Sequence, residues 1–266
     1  MVIAAAVAGI WTWTTVCERD AHYMPETEYV NIEEIVAKRE WSRSDCRVLS
    51  QQTGLSEVVL RALASAGRKW ELLSLQEAYF REVRIACEPN TVISREEFLV
   101  DEEGNMMRGM PIPYVEEGDI LITNCSHALG WRNGHAGIVV DAGLGLVLEA
   151  QVLGSPSVVT SLRRWEYYPS FVVLRLKNVD KEDRAEIARY ALKNLVGIPY
   201  RLEAGILERL LGSDSVTRGT HCAHLIWQAY GHFGYDLDSD GGLIVTPKDI
   251  AESDKLSIIQ KYGIKM

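Results

Sequence analysis

The chain has 266 residues, of which 47% are hydrophobic, with a formal net charge of −9 and a pI of about 5.3. This length permits one large domain or a domain with a smaller companion, and the acidic balance disfavours proteins that mainly bind nucleic acid or anionic membranes. The five cysteines are scattered and include no C-x-x-C pair, so no disulfide framework is predicted and at least one thiol stays free.

The N-terminus is apolar between Val2 and Val16. This run is shorter than the roughly 20 residues of a membrane-spanning helix, and it resembles the apolar region of a secretory signal, although no basic residue precedes it. A buried strand or helix is the alternative. We expect residues 1–25 to form a signal or anchor segment that associates the protein with the membrane or cell envelope. An extracytoplasmic location follows, with a cytoplasmic one as the alternative.

Residues 26–111 are predicted to form a small helical domain with a hairpin. Apolar residues recur at helical spacing between Asn31 and Phe80, and a turn at 101–105 predicts the hairpin. Residues 49–66 have the helix–glycine–helix form of a DNA-binding helix-turn-helix. A helical bundle that packs on the next domain explains the same pattern, and we expect no nucleic-acid partner.

The Pro111-Ile112-Pro113 segment marks a predicted domain boundary, and residues 112–266 form the second unit. Strands are predicted at 119–123, 135–141, 145–150 and 171–176, and helices at 180–196 and 222–233. The expected fold class is α+β, a small antiparallel sheet with packed helices behind the helical domain.

Cys222 lies where a predicted loop becomes a helix. The helix dipole lowers the pKa of a thiol in that position, and the exposed N–H groups can bind an oxyanion. The alternative is a small buried hydrophobe, the usual fate of a free cysteine. His135 opens one predicted strand and Glu149 closes the next. If these strands pair, the carboxylate can orient the imidazole, whereas a structural histidine and a rim salt bridge are the plain alternatives.

The order of these motifs resembles that of cell-wall peptidases of the NlpC type. That family carries a Gly-x-Pro-Tyr turn, a Cys-Ser helix start, a Gly-Asp strand and a His-x-Gly-Ile strand. Here the pieces run Gly118-Asp119-Ile120, His135-Ala136-Gly137-Ile138, Glu149-Ala150, Gly197-Ile198-Pro199-Tyr200 and Cys222. The motifs follow the same cyclic order, but this chain begins at a different motif. That arrangement is similar to the circularly permuted YiiX/YebB-like branch of the family. Permutation is tolerated because domain termini often lie close together.

The resemblance covers Tyr114 to the C-terminus and implies a permuted papain-like domain. It implies Cys222 as nucleophile, His135 as base and Glu149 as orienting group, with no metal and no cofactor. Family members cleave amide bonds, often in peptidoglycan stem peptides. We therefore expect a peptide or peptidoglycan-derived substrate, contacted by Trp131, Tyr200 and His221. Position 223 is Ala where Ser commonly follows the nucleophile, which affects substrate contacts rather than attack.

Three other functions remain open at this point. A zinc site would use ligands from the segments 125–127, 135 and 221–224, but their spacing matches no familiar zinc pattern. Permuted relatives include lipid acyltransferases with the same thiol and imidazole, so an acyl amide or thioester hydrolase or an acyltransferase is an alternative. The last is a catalytically idle module that binds cell wall or regulates through the helix-turn-helix.

Overall fold

The computed structural model describes residues 22–91, 93–128, 131–206 and 219–265, together with Gly9. The expected signal or anchor segment therefore lies outside the described residues, apart from Gly9 and residues 22–25. Within the described part of the chain, no helix is both long and apolar enough to cross a membrane.

The region before the sheet is helical, as predicted. It contains α1 (Glu33–Ala37), α2 (Arg43–Thr53), α3 (Glu57–Ser65) and α4 (Glu71–Phe80). Helix α2 begins at a capping box formed by Ser42 and Asp45 and ends at Gly54, whose φ of 69° lies in the left-handed region. A Cβ on Gly54 would lie 2.2 Å from the carbonyl oxygen of Lys261. Glycine therefore lets this turn pack closely against the last strand of the chain.

Two antiparallel sheets carry the strands. In chain order these are β1 (Arg84–Pro89), β2 (Ser94–Val100), β3 (Ile120–Thr123), β4 (Ser126–Ala128), β5 (Trp131–Arg132), β6 (His135–Asp141), β7 (Leu146–Glu149), β8 (Val158–Ser161), β9 (Phe171–Leu176) and β10 (Leu256–Tyr262). The main sheet has the order β10-β9-β3-β6-β7-β8, and the small sheet has the order β1-β2-β4-β5. This mixture of helices with antiparallel sheets confirms the α+β class.

The central strands β3, β6 and β9 of the main sheet are buried on both faces. Helices α5 (Lys181–Asn194), α6 (Cys222–Gly231) and α7 (Pro247–Ala251) follow the strands, and α5 and α6 pack on β6 and on each other. In β3, Ile120 and Ile122 join a core with α5 and α6, whereas Leu121 joins a second core with helices α1–α4. Alternate residues of a strand point to opposite faces. The sheet therefore lies between two helical layers, and the helical region shares a core with it.

Two turns follow the helices, and one of them is at 101–105, where the sequence predicts a hairpin. The paired strands β1 and β2 turn between Pro89 and Ser94, whereas residues 101–105 form a separate turn after β2. There the Asp101 carboxylate accepts the backbone N–H groups of Glu103 and Asn105. The segments on either side of that turn pair through the bridge between Val100 and Met106 and through a backbone hydrogen bond from Met107 to Leu99, which makes a short hairpin.

The helix-turn-helix segment packs on the protein itself. Helix α3 buries Val59, Leu60 and Leu63 and packs on β10. Its exposed Arg61 forms an ion pair at 2.5 Å with Glu57, one turn earlier. These contacts favour the helical-bundle interpretation of the pattern.

Candidate active site

Cys222 is the first residue of α6. His221 is the N-cap and its side chain accepts the backbone N–H of His224. The N–H groups of the first helical turn have no acceptors within the helix, so those of Cys222 and Ala223 face the loop side. Segment 199–201 runs beside this start, because Thr220 exchanges backbone hydrogen bonds with Pro199 and Arg201. The Gly-x-Pro-Tyr turn thereby brings Tyr200 next to the thiol.

The register of β6 and β7 joins His135 to Glu149. Gly137 lies opposite Glu149, and His135 precedes Gly137 by two residues on the same face of the sheet. Such diagonal neighbours are within reach of long side chains. His135 Nε2 lies 2.6 Å from Glu149 Oε2. The strand pairing postulated from the sequence is therefore present, with the carboxylate at the imidazole.

Glu149 is completely buried, and hydrogen bonds from side chains satisfy its carboxylate oxygens. Its other oxygen, Oε1, accepts hydrogen bonds from Gln151 at 2.9 Å and from Thr160. Burial opposes ionisation, but the hydrogen bonds from His135, Thr160 and Gln151 outweigh it and lower the pKa of Glu149. A charged carboxylate therefore faces His135 at neutral pH. Sequence reasoning did not find Gln151 and Thr160.

The imidazole of His135 lies between Glu149 and Cys222. Because Nε2 contacts the Glu149 carboxylate, Nδ1 is the ring nitrogen that can hydrogen-bond to the Cys222 thiol. Burial would lower the pKa of His135, but hydrogen bonds with Cys222 and Glu149 raise it to about 10. Burial would raise the pKa of Cys222, but His135 and the neighbouring His221 lower it to about 6. These opposite shifts favour a thiolate–imidazolium pair at neutral pH, the form required of a cysteine nucleophile.

An indole covers the face of His135. Trp165 is fully buried and stacks on the imidazole, with ring centroids 5.5 Å apart and planes at 17°. A Cβ on Gly137 would lie 3.1 Å from Cζ2 of Trp165 and 2.6 Å from Cγ1 of Val147. The glycine of the His-x-Gly motif therefore leaves space for the indole, which excludes water from the ring.

A narrow pocket of about 60 Å³ leads to the thiol. Its described lining residues are Asn90, Thr91, Ile93, Ser94, Arg95, Ser126, His127, Ala128, Asn133, Gly134, His135, Gln151, Val152, Leu153, Tyr200, Leu202 and Cys222. The small sheet forms one wall. Sequence reasoning missed this wall, because no local motif distinguishes β2 or β4 from ordinary strands.

The three residues expected to contact substrate occupy different places. Tyr200 lines the pocket, and burial together with the nearby Cys222 thiolate raises its pKa, so its hydroxyl stays protonated. Trp131 is 77% exposed and does not line the pocket, although its strand partner Ala128 does. His221 is buried directly before Cys222 and is not among the residues that line the pocket.

Metal-ligating side chains converge elsewhere. Within the described residues, the group that could hold a metal ion is Asp238, Asp240 and Asp249, whose carboxylate oxygens lie within 4.8 Å of one another. Sequence reasoning did not identify this group. The cysteines and histidines of the zinc alternative do not form such a group in the part of the chain that is described.

Comparisons with known proteins give one distant structural likeness. No family model and no curated protein matches the chain. The crystal structure of YiiX from Escherichia coli O157:H7, described as a metalloprotein, is similar, with 17% sequence identity and a TM-score of 0.42. The similarity covers 56% of this chain and 98% of YiiX. It assigns no activity or ligand to this protein.

Proposed function

We propose that the chain is a cysteine hydrolase of the permuted papain-like, NlpC type, which cleaves amide bonds through an acyl-enzyme on Cys222. The observation that carries the proposal is a buried thiol at a helix N-terminus, hydrogen-bonded to His135, whose other nitrogen contacts the buried carboxylate of Glu149. Nucleophile, base and orienting group are the three parts that thiol hydrolysis needs.

The mechanism begins from the thiolate–imidazolium pair. Cys222 Sγ attacks the carbonyl carbon of the amide, and the carbonyl electron pair moves to oxygen, where backbone N–H groups at the start of α6 receive it. The carbon–nitrogen bond then breaks, and His135 gives its proton to the leaving amine. Water attacks the resulting thioester with His135 as base, which releases the acid and restores the pair. Glu149 stabilises the imidazolium throughout.

We propose peptide amides of bacterial cell wall, the peptidoglycan stem peptides, as substrates. The pocket supports this class because its wall carries amide, hydroxyl and guanidinium groups from Asn90, Ser94, Arg95, Asn133 and Gln151. Such groups pair well with the backbone and carboxylates of a peptide. This substrate class goes with the extracytoplasmic location that we expect from the sequence of residues 1–25.

A second candidate is an acyl amide or thioester hydrolase or an acyltransferase. The observation that favours it is an apolar rim on the same pocket, formed by Ile93, Leu153 and Leu202, which are 40%, 50% and 44% exposed. Exposed apolar side chains around a polar site suit a substrate with a hydrocarbon chain. The same acyl-enzyme chemistry serves both substrate classes.

Brief alkylation at neutral pH with intact-mass detection tests the activated thiol. Iodoacetamide should label wild type rapidly and once, at Cys222, and His135→Ala should slow this labelling because the counter-charge is lost. Cys87→Ser is the matched control and should leave the fast label in place, since Cys87 lies on β1 outside the pocket.

Substrate class is decided with the same preparations. Stem-peptide fragments, an N-acyl amide and an acyl thioester are offered in parallel, and hydrolysis is followed by mass spectrometry. Cleavage of the stem peptides that disappears in Cys222→Ala supports the first proposal, whereas preference for the acylated compounds supports the second. Full hydrolysis by Cys222→Ala, or slow labelling spread over several cysteines, would contradict both and favour an idle module.

A further inference from the structure

The residue before the nucleophile has a fixed proton position. His221 Nδ1 accepts the backbone N–H of His224 at 3.3 Å, and the side chain thereby caps α6. An imidazole nitrogen that accepts a hydrogen bond carries no proton. The neutral ring of His221 therefore holds its proton on Nε2.

That Nε2 atom is buried and meets no oxygen or nitrogen acceptor among the described residues. His221 as a whole is only 6% exposed. Buried donors are paired in the great majority of cases, because an unpaired one loses its hydration without compensation. The acceptor left to it is the Cys222 sulfur, since the side chain of His221 hydrogen-bonds that thiol. Once the sulfur has attacked a carbonyl it is no longer a thiolate, and the donor becomes available to another anion that forms there.

The ring is also close to the reacting atoms. After the opposing effect of burial, His135 and His221 together lower the pKa of the Cys222 thiol, so the sulfur lies near both rings. The backbone N–H of Cys222 belongs to the first turn of the ten-residue helix α6 and has no acceptor within the helix. Two donors, one from the backbone and one from His221, therefore flank the thiol.

We propose that His221 Nε2–H is a catalytic donor that binds the oxyanion together with the backbone N–H of Cys222. This role rests on the proposed function. When the Sγ–carbon bond forms, the carbonyl electron pair moves to oxygen, and His221 donates a hydrogen bond to that charge without transferring its proton. When the leaving group departs, the carbonyl re-forms and the hydrogen bond weakens. A hydrogen bond that is stronger to the oxyanion than to the neutral carbonyl oxygen accelerates the reaction.

Two substitutions separate the cap from the donor. His221→Asn retains an acceptor at the position of Nδ1 and so keeps the helix cap, but it removes the Nε2 donor. His221→Gln places an amide N–H near the position of Nε2 and gives up the cap. His232→Asn, at the exposed end of the same helix, is the control.

Two reagents separate oxyanion binding from thiol activation. p-Nitrophenyl acetate acylates Cys222 through a tetrahedral oxyanion, whereas iodoacetamide alkylates the same thiol by displacement and forms none. Both rates are measured at about pH 8, above the thiol pKa, with circular dichroism melts as the check on folding. His221→Asn should slow acylation by about 100-fold while alkylation changes far less. His221→Gln should recover most of the acylation rate with a lower melting temperature, and His232→Asn should match wild type.

Two outcomes would contradict the donor role of His221 and leave the proposed hydrolase function intact. Equal slowing of acylation and alkylation in His221→Asn would mean that His221 acts only through the thiol. Equal acylation losses in the folded Asn and Gln variants would assign the effect to the shape of the ring rather than to its donor. Failure of the proposed function is recognised separately, because wild-type Cys222 would then react no faster with either reagent than the other cysteines.

Discussion

At the scale of single residues, three side chains set the pH range of the proposed chemistry. The pKa of the Cys222 thiol is lowered to about 6, and that of the His135 imidazole is raised to about 10. Below the first value the thiolate takes up a proton and loses its nucleophilicity. Above the second, the imidazolium loses the proton that the leaving amine requires. Hydrolysis should therefore rise through about pH 6 and fall near pH 10.

Glu149→Gln should narrow this range from the alkaline side. The substitution keeps an acceptor for Nε2 but removes the negative charge that helps to raise the pKa of His135, so the alkaline limb should move to lower pH. The rate at the optimum should fall by about 100-fold or more, because the imidazolium loses its counter-charge. The measurement is hydrolysis against pH, with Glu103→Gln on the exposed turn as control. An unchanged alkaline limb would show that Glu149 does not act on His135.

Local features placed these three residues at a helix start and at the ends of two short strands, and the resemblance to NlpC-type peptidases implied their roles. A helix start, two short strands and a tight turn are encoded by neighbours in the chain, and strand register follows from them. Thr160 and Trp165 were not predicted as partners, because each reaches the site from a segment without a strong periodic pattern. His221 was predicted only as a substrate contact, and its fixed tautomer depends on the cap geometry of α6.

At the scale of elements, the glycine of β6 links packing to the site. In Gly137→Ala, the new methyl group would lie 2.6 Å from Val147 and 3.1 Å from Trp165. We expect the indole to be displaced from His135, a free energy of unfolding lower by about 1–3 kcal/mol, and slower alkylation of Cys222. Urea denaturation and the iodoacetamide assay measure the two effects.

The matched control for this substitution lies in the turn after the same strand. A Cβ on Gly143 would have its nearest contact at 3.5 Å, with an oxygen of Asp141, an ordinary van der Waals distance. Gly143→Ala should therefore be close to wild type in both assays. If Gly137→Ala were equally neutral, the proposed link between the indole and the imidazole would be wrong.

Elements with strong patterns were predicted and those without them were not. The predicted strands at 135–141 and 171–176 match β6 and β9, and the helix predicted at 180–196 matches α5, whose N-cap is Asp180. The small sheet was not predicted, because β4 and β5 have three and two residues and depend on contacts distant in sequence. Strand β10 was missed for a related reason, since it alternates irregularly and pairs at a bulge with β9.

At the scale of the whole molecule, the region before residue 112 contacts the main sheet and the pocket, and its strand β2 pairs with β4 across the predicted boundary. The turn after α2 adds to the edge of β10, where Ser56 and Lys261 donate backbone hydrogen bonds to Ile259 and Gly54. This pairing covers an edge that would otherwise be open. The pocket is lined in part by Asn90, Thr91, Ile93, Ser94 and Arg95. The region before residue 112 therefore contributes both to the core and to the candidate site.

Truncation tests whether the predicted boundary at residue 112 separates two folding units. A chain of residues 112–266 would expose the sheet face that carries Leu121, Val139 and Phe171, which is covered by α1–α4 in the full protein. Because exposed apolar surface of this kind is unfavourable in water, we expect an aggregated or non-cooperatively unfolding product without the fast label at Cys222. Thermal unfolding and alkylation of the full chain and the truncated one, side by side, measure this. If residues 112–266 unfolded cooperatively and retained the fast label, the helical region would be a separate domain and the wall from β2 would be dispensable for thiol activation.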